Sequence, residues 1–437
     1  MNKTKINTLY NLLCFFIISF TASMTVFTRS FVGINFFGFR LGEYLILAGF
    51  ILCLGLLIVS IFYKNKIDLE IFNNYYKAII LSFFIILLAT KSNISNTYAF
   101  KSSSYIWTIG FIFIGIFIKK YVINVKKSLI FLGSLVPLAI FIINTGNYPD
   151  VIINFFKENS DKFQFTKASD VFISVVTVYF FLEILNINIS KKMFFVFFYV
   201  PLFLPMLIIQ SRGSYVGIII FTILVFYFER RFLLENKKLI FLYLLFSILV
   251  FSISTFRSSG QKLNTDITPA KITEQVQTNS EVKDTRKAFL TFYIQDGRLF
   301  SKDETTNWRL DIWQDVTYDL FEENRFLTGY GYKSIIPQML DPTAPGRLGR
   351  DGLNENVHNY FITILSRGGL FQLILFVLFH FSLIRLWHAR NNNYKILIYY
   401  LPILFVSSLD ISMDGVQFPI IFYSSIGCFL ANIKTNK

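Results

Sequence analysis

Charge is what this chain lacks most. Only 16% of its 437 residues are Asp, Glu, Lys or Arg, against about one quarter in soluble domains, which excludes an ordinary water-soluble fold. Histidine and cysteine are also scarce, with three of each. Cys14, Cys53 and Cys428 all fall inside apolar runs. They read as small hydrophobes, and neither a disulfide framework nor a zinc site is expected from them. No two histidines stand at metal-ligand spacing. No motif asks for a metal, and no cofactor is expected.

What the chain has in abundance is hydrocarbon: 54% of its residues are hydrophobic and 53 are Phe. Apolar runs of about 17–25 residues recur, each long enough to cross about 30 Å of bilayer as a helix. The windows are 9–28, 43–63, 76–91, 105–119, 128–144, 170–187, 193–210, 214–229, 238–256, 369–387, 395–410 and 415–433. The expected fold class is an all-α membrane protein of about 12 transmembrane helices, with one large non-cytoplasmic loop containing short amphipathic helices. Three regions follow: an N-terminal bundle over 1–256, the loop over 257–368, and C-terminal spans over 369–437.

The formal charge of +15 does not imply nucleic acid, because the cations lie between hydrophobic spans rather than in one basic domain. Lys64, Lys66, Lys119, Lys120, Lys126, Lys127, Lys191, Lys192, Arg230, Arg231, Lys237, Lys238, Arg385, Arg390 and Lys395 fall on one side, with both termini. The positive-inside rule makes that side the cytoplasm. Lys3 and Lys5 precede the first run, which lacks a clear small-residue cleavage site and reads as an uncleaved span. The first half of the long loop has no apolar periodicity and reads as a partly disordered stretch or a mobile lid; from 307 onward the loop reads as structured.

Three cations stand out. In Asn307–Leu320, a period of about 100° per residue gathers Trp308, Ile312, Trp313, Val316 and Leu320 on one face, with Arg309 near its middle. An arginine there must be paired, snorkel, or meet an anion. Gly329 and Gly331 follow, where a backbone has room to approach a ligand. Arg212 sits in a Gln-Ser-Arg-Gly-Ser break between two apolar runs. A structural arginine at a helix end snorkels to headgroups, whereas a functional one grips a diphosphate with its planar fork. His358, in Asn-Val-His-Asn-Tyr, opens the span after the loop. Histidine is the side chain best suited to take a proton from a sugar hydroxyl near neutral pH. Glu183 lies near the end of a span and reads as snorkelling or paired.

The ordered set Ser211-Arg212-Gly213, Asn307-Trp308-Arg309, Asn324 to Gly331 (NRFLTGYG) and His358-Asn359 resembles the O-antigen ligase and polymerase superfamily. The resemblance covers roughly 160–385 plus the span plan. In the ligase pattern, His-Asn is followed by nine residues and a glycine, which Gly369 satisfies; the last position is Gln372, which departs from it. The resemblance implies a metal-independent, inverting glycosyltransferase of the bacterial inner membrane, with its loop in the periplasm. Its donor would be a glycan on undecaprenyl diphosphate, and its acceptor a lipid A core or another glycan in lipopolysaccharide or related surface-polysaccharide assembly. Arg212 and Arg309 would bind the diphosphate and His358 would act on the acceptor hydroxyl, with Trp308, Gly329, Gly331 and Asn359 in substrate binding. A repeat-unit polymerase shares these motifs. From other classes, a secondary transporter should show charged or broken helices at mid-membrane and related halves; a non-catalytic partner in polysaccharide assembly is the other alternative.

Overall fold

The computed structural model describes residues 3–62, 70–91, 96–144, 149–161, 167–258, 291–344, 346–348, 352 and 354–431. The stretch expected to be a disordered segment or lid lies largely outside the described residues. In chain order the elements begin with α1 (Lys3–Val32), β1 (Asn35–Phe36), β2 (Phe39–Arg40), α2 (Leu41–Phe62), α3 (Asn74–Ala89), α4 (Thr97–Ser102) and α5 (Ser104–Trp107). Next come α6 (Ile112–Asn124), α7 (Lys126–Asn144), α8 (Asp150–Asn159), α9 (Ala168–Ile184), α10 (Ile189–Gln210), α11 (Arg212–Phe228), α12 (Arg230–Glu235) and α13 (Lys237–Ser258). The remainder are β3 (Phe292–Gln295), β4 (Arg298–Ser301), α14 (Glu304–Glu322), α15 (Tyr360–Asn391), α16 (Leu397–Ser407) and α17 (Gln417–Leu430).

The fold is mostly helical, and every expected apolar window carries a helix. Among the described residues seven helical stretches are long and apolar enough to cross a membrane: Lys5–Val32, Leu41–Phe62, Ser104–Asn124, Lys126–Ile143, Ile189–Gln210, Lys237–Phe256 and Tyr360–Asn391. The protein is a membrane protein. Four other apolar helices, α3, α11, α16 and α17, have 10–17 residues. Between the windows 395–410 and 415–433, residues Ser412–Asp414 form a short turn of 3-10 helix.

The chain divides into two compact units: Met1–Leu81, Phe100–Gly260 and Leu375–Lys437 form the first, and Ser82–Ala99 with Gln261–Ile374 the second. In the first unit, glycines let backbones touch. A Cβ on Gly115 of α6 would lie 1.8 Å from the Ser424 carbonyl oxygen, and one on Gly427 of α17 2.0 Å from that of Ile112. In lipid no hydrophobic force draws helices together, so this small-residue seam supplies contact instead. Helix α10 carries Pro201 and Pro205. Pro201 has no N–H for the carbonyl of Phe197, four residues back; the Ser247 hydroxyl of α13 donates to that oxygen at 2.6 Å.

Glu183 is paired, as its position at the end of a span suggested. Lys395 Nζ lies 2.8 Å from Glu183 Oε1 and 2.7 Å from Glu229 Oε1, and Lys192 bonds the other Glu183 oxygen. Two cations and two carboxylates thus neutralise one another where single buried charges would be costly.

The second unit is built around α14. Asp303 caps it, accepting from Thr306 N at 2.9 Å. Asn324, at φ 56°, ends it in the left-handed region, with Arg325 N bonding Leu320 O at 2.8 Å and Asn324 N bonding Phe321 O at 3.1 Å. That is the reciprocal C-terminal cap that lets asparagine stop a helix. Ile312, Val316 and Leu320 form a buried stripe with Ile336, Met339, Val357 and Leu365. A hairpin, β3–β4, turns on Asp296 (φ 50°) and Gly297 (φ 77°) and lies along the polar side of α14. The Gln314 side chain holds it by bonding both N and O of Leu299, at 2.7 and 2.8 Å.

Candidate functional site

The buried stripe of α14 repeats at intervals of four from Ile312; Trp308 prolongs it one turn towards the helix start, packed against that core, and Arg309 stands beside it, half-buried. Its neighbours take separate tasks. Asn307 Oδ1 accepts from Ser301 N at 3.0 Å and fastens β4. Trp308 also meets His358 edge to face, the ring centroids 5.1 Å apart at 76°. One turn on, Trp313 Nε1 donates to the carbonyl of Val357 at 2.6 Å. Two tryptophans of one helix therefore hold the residue before His358 and His358 itself.

His358 has φ 57°, a left-handed conformation that asparagine, aspartate and histidine tolerate best among residues with a Cβ. The cause lies next to it. Asn359 Oδ1 accepts from Phe361 N at 3.0 Å and Ile362 N at 3.2 Å, capping α15. The chain must turn sharply between the Val357 anchor and that cap, and His358 absorbs the turn. The second motif residue, expected at the substrate, thus has its carboxamide oxygen occupied by the helix start.

Gly329 and Gly331 have φ of 70° and 77°. Each is closely approached by another part of the chain itself, backbone at Gly329 and a side chain at Gly331. A Cβ on Gly329 would stand 2.6 Å from the Arg367 carbonyl carbon and oxygen, and one on Gly331 2.6 Å from Thr90 Cγ2. Tyr330 N bonds Ser366 O at 2.7 Å, Gly331 N bonds Arg367 O at 2.9 Å, and Leu370 N bonds Phe326 O at 2.8 Å. The NRFLTGYG segment is laid against the start of α15, where Gly369 (φ 70°) breaks the helical path.

Gln372, the departure from the ligase pattern, is fully buried. It accepts from Tyr332 OH at 2.8 Å and donates to Ser82 Oγ at 2.9 Å. A Cβ on Gly368 would fall 2.0 Å from its Oε1, so Gly368 makes the room that Gln372 fills. Arg367 is 4% exposed; it donates to the carbonyls of Gly331 and Ser334 and to Tyr98 OH.

A second feature escaped the sequence reading. Asp311 and Asp315, one turn apart on the polar side of α14, sit between two arginines. Arg298 Nη2 reaches Asp311 Oδ1 at 3.0 Å and Asp315 Oδ1 at 2.6 Å, and Arg347 Nη2 bonds the remaining oxygen of each. Arg347 also donates to Gln338 O at 2.9 Å. Burial opposes its charge, but the hydrogen bonds it donates to Asp315 and Asp311 outweigh this and hold its pKa above the ordinary arginine value. The i, i+4 carboxylates were visible on a helical wheel, but their partners come from 13 residues before and 32 after. Nearby, burial pushes the Tyr330 phenol up to about 12, so it stays a neutral hydrogen-bonding group. Arg350 lies outside the described residues.

The second unit thus brings Trp308 and His358 together, with Arg309 on the same helix as Trp308. Arg212 belongs to the first unit. It is the first residue of α11, directly after Ser211, whose hydroxyl accepts from Ser214 N at 3.3 Å. Among the described residues no group of three His, Cys, Asp or Glu is arranged to hold a metal.

Residues 195–377 match a protein-family model described as O-antigen ligase. No curated protein matches the chain.

Proposed function

We propose that the protein, whose residues 195–377 match the O-antigen ligase family model, is a membrane glycan-transferring enzyme that moves a glycan from undecaprenyl diphosphate to an acceptor hydroxyl. The reaction takes place at the periplasmic face of the bacterial inner membrane, and the acceptor is a lipid A core or a related surface glycan. The acceptor oxygen attacks the anomeric carbon as its proton passes to His358. The bond to the diphosphate breaks, and Arg212 and Arg309 stabilise the charge on that leaving group. A diphosphate already leaves readily, so fixed guanidiniums and one base are sufficient chemistry, and the displacement inverts the anomeric centre without a metal.

The observation that carries this reading is the Trp308–His358 contact inside the matched region. Together with the Trp313–Val357 bond, it gives the imidazole a fixed place beside the helix that bears Arg309. The polymerase reading rests on Gln372, which differs from the ligase pattern. The His358-Asn359 spacing to Gly369 favours ligase.

The test is complementation of a strain lacking the protein, scoring glycan on its final acceptor and chain length separately. His358→Gln should lower transfer about 10²- to 10⁴-fold, the usual worth of a general base, and Arg309→Ala about 10²- to 10³-fold. Lipid-linked polymer accumulating without attachment identifies a ligase. Attached single repeats identify a polymerase. Unchanged transfer by both variants at normal expression overturns the catalytic assignment.

A further inference from the structure

The first unit contains a crevice of about 560 Å³ bounded by α1, α6, α7, α9 and α17. Its walls are mostly aliphatic, and its floor includes Ser174 and Ser424, both buried. The Ser174 hydroxyl is spent within its own helix, donating to Val171 O at 2.7 Å. The lips are Phe15 of α1 and Leu132 of α7, which are 57% and 49% exposed. Both helices are only 17% buried over their apolar windows, so in a membrane the mouth faces hydrocarbon. A cavity of this character excludes water and takes apolar chains.

One end of the crevice is lined by Tyr121, Val125 and Ser128, at the turn where α6 passes into α7. Lys120, near the end of α6, and Lys126 and Lys127, at the start of α7, flank that turn. The start of α1 lies at the same end, because Tyr10 OH donates to Phe117 O at 2.8 Å, and it brings exposed Lys5. No Asp or Glu occurs in residues 71–149 or 1–42 to neutralise these cations. An apolar slot therefore ends at a basic rim.

We infer that this crevice holds an acyl chain of an anionic phospholipid whose phosphate rests on the lysines of the α6–α7 turn. The ligand belongs to the leaflet that this turn faces and is a resident lipid, distinct from the glycan donor. Each lysine near the surface of an anionic membrane favours the anionic headgroup by about fivefold.

The full-length protein would be offered equal amounts of dioleoyl phosphatidylglycerol and dioleoyl phosphatidylcholine in detergent, and retained lipid counted by native mass spectrometry. Wild type should retain phosphatidylglycerol at least about fivefold in excess, and a Lys5→Gln, Lys120→Gln, Lys126→Gln, Lys127→Gln variant should bind the two lipids equally. A Cβ on Gly133 meets only Val178 Cγ1, at 3.6 Å, so Gly133→Leu fills the slot and should lose the lipid, as should Val136→Phe. A wild-type arm needs no substitution: phosphatidylglycerol with a photoactivatable tail should label residues 15–25 and 128–136. Equal retention of both lipids by wild type, undiminished lipid on the filled variants, or label spread evenly over every lipid-facing helix would overturn the inference.

Discussion

Replacing Arg347 by alanine should loosen α14 more than any other single change on its polar side. The guanidinium is 4% exposed and serves Asp311, Asp315 and the Gln338 carbonyl. With Arg298 it balances two carboxylates by two cations. Removing it leaves a net negative charge shared with Arg298, whose side chain is 41% exposed. Breaking a fully buried pair costs about 3–5 kcal/mol. Here the Asp311 and Asp315 side chains keep 39% and 22% of their exposure, so water recovers part of the loss, and about 2–3 kcal/mol remains. That raises the opened population of this region about 30- to 150-fold. Native-state proteolysis of the full chain in detergent reads such a population when reclosing outpaces cleavage. A double-mutant cycle with Asp315→Asn supplies the control: the two changes share one network, so their effects should fall short of additive by about 1 kcal/mol or more. Cleavage of Arg347→Ala at the wild-type rate, or additivity within about 0.5 kcal/mol, would refute the reasoning.

Ser247→Ala strands the Phe197 carbonyl and should cost about 1–2 kcal/mol in detergent melts; on a Pro201→Ala background, where the helix can bond that oxygen itself, the loss should nearly vanish. Gly329→Ala must combine a left-handed conformation with a contact at 2.6 Å, whereas Gly297→Ala meets nothing within 4 Å. The first should abolish folded protein on size-exclusion chromatography, and the second should cost only about 1–2 kcal/mol of local backbone strain. Asp161 is held below the ordinary carboxylate range: slight burial opposes this, but Arg40 and Asn35 outweigh it. A depressed folded pKa contributes stability above the unfolded value and loses it as pH falls through the folded one. The melting difference between wild type and Asp161→Asn should therefore persist at neutral pH and close on acidification below the ordinary carboxylate range.

Helix positions were legible because hydrocarbon thickness imposes length and composition together. The amphipathic stripe of α14 was legible for a similar reason, its period being intrinsic to the helix. The β3–β4 hairpin carried a readable sign in Asp296-Gly297 between two short runs rich in aromatic and apolar residues, a short-range turn signal that a search for spans passes over. Other features were not legible at all. Nothing local to Gly329 tells whether the backbone it admits belongs to a ligand or to Arg367. Gln372 looked like an anomaly until Tyr332, Ser82 and Gly368 gave its carboxamide a fitted place. Such pairings depend on residues tens to hundreds of positions away, and a periodicity has no access to them.

The seam between α6 and α17 joins Gly115 to Ser424 and Gly427 to Ile112, across roughly three hundred residues of chain. At a synthesis rate of about 5–20 residues per second, α6 precedes its partner by about 15–60 seconds. Throughout that interval its glycine groove stands open in the bilayer. Until then the groove is filled by lipid tails, and the small residues that line it keep it open to the close approach of a partner helix. The seam therefore closes only once residues 417–430 have arrived, by displacing lipid.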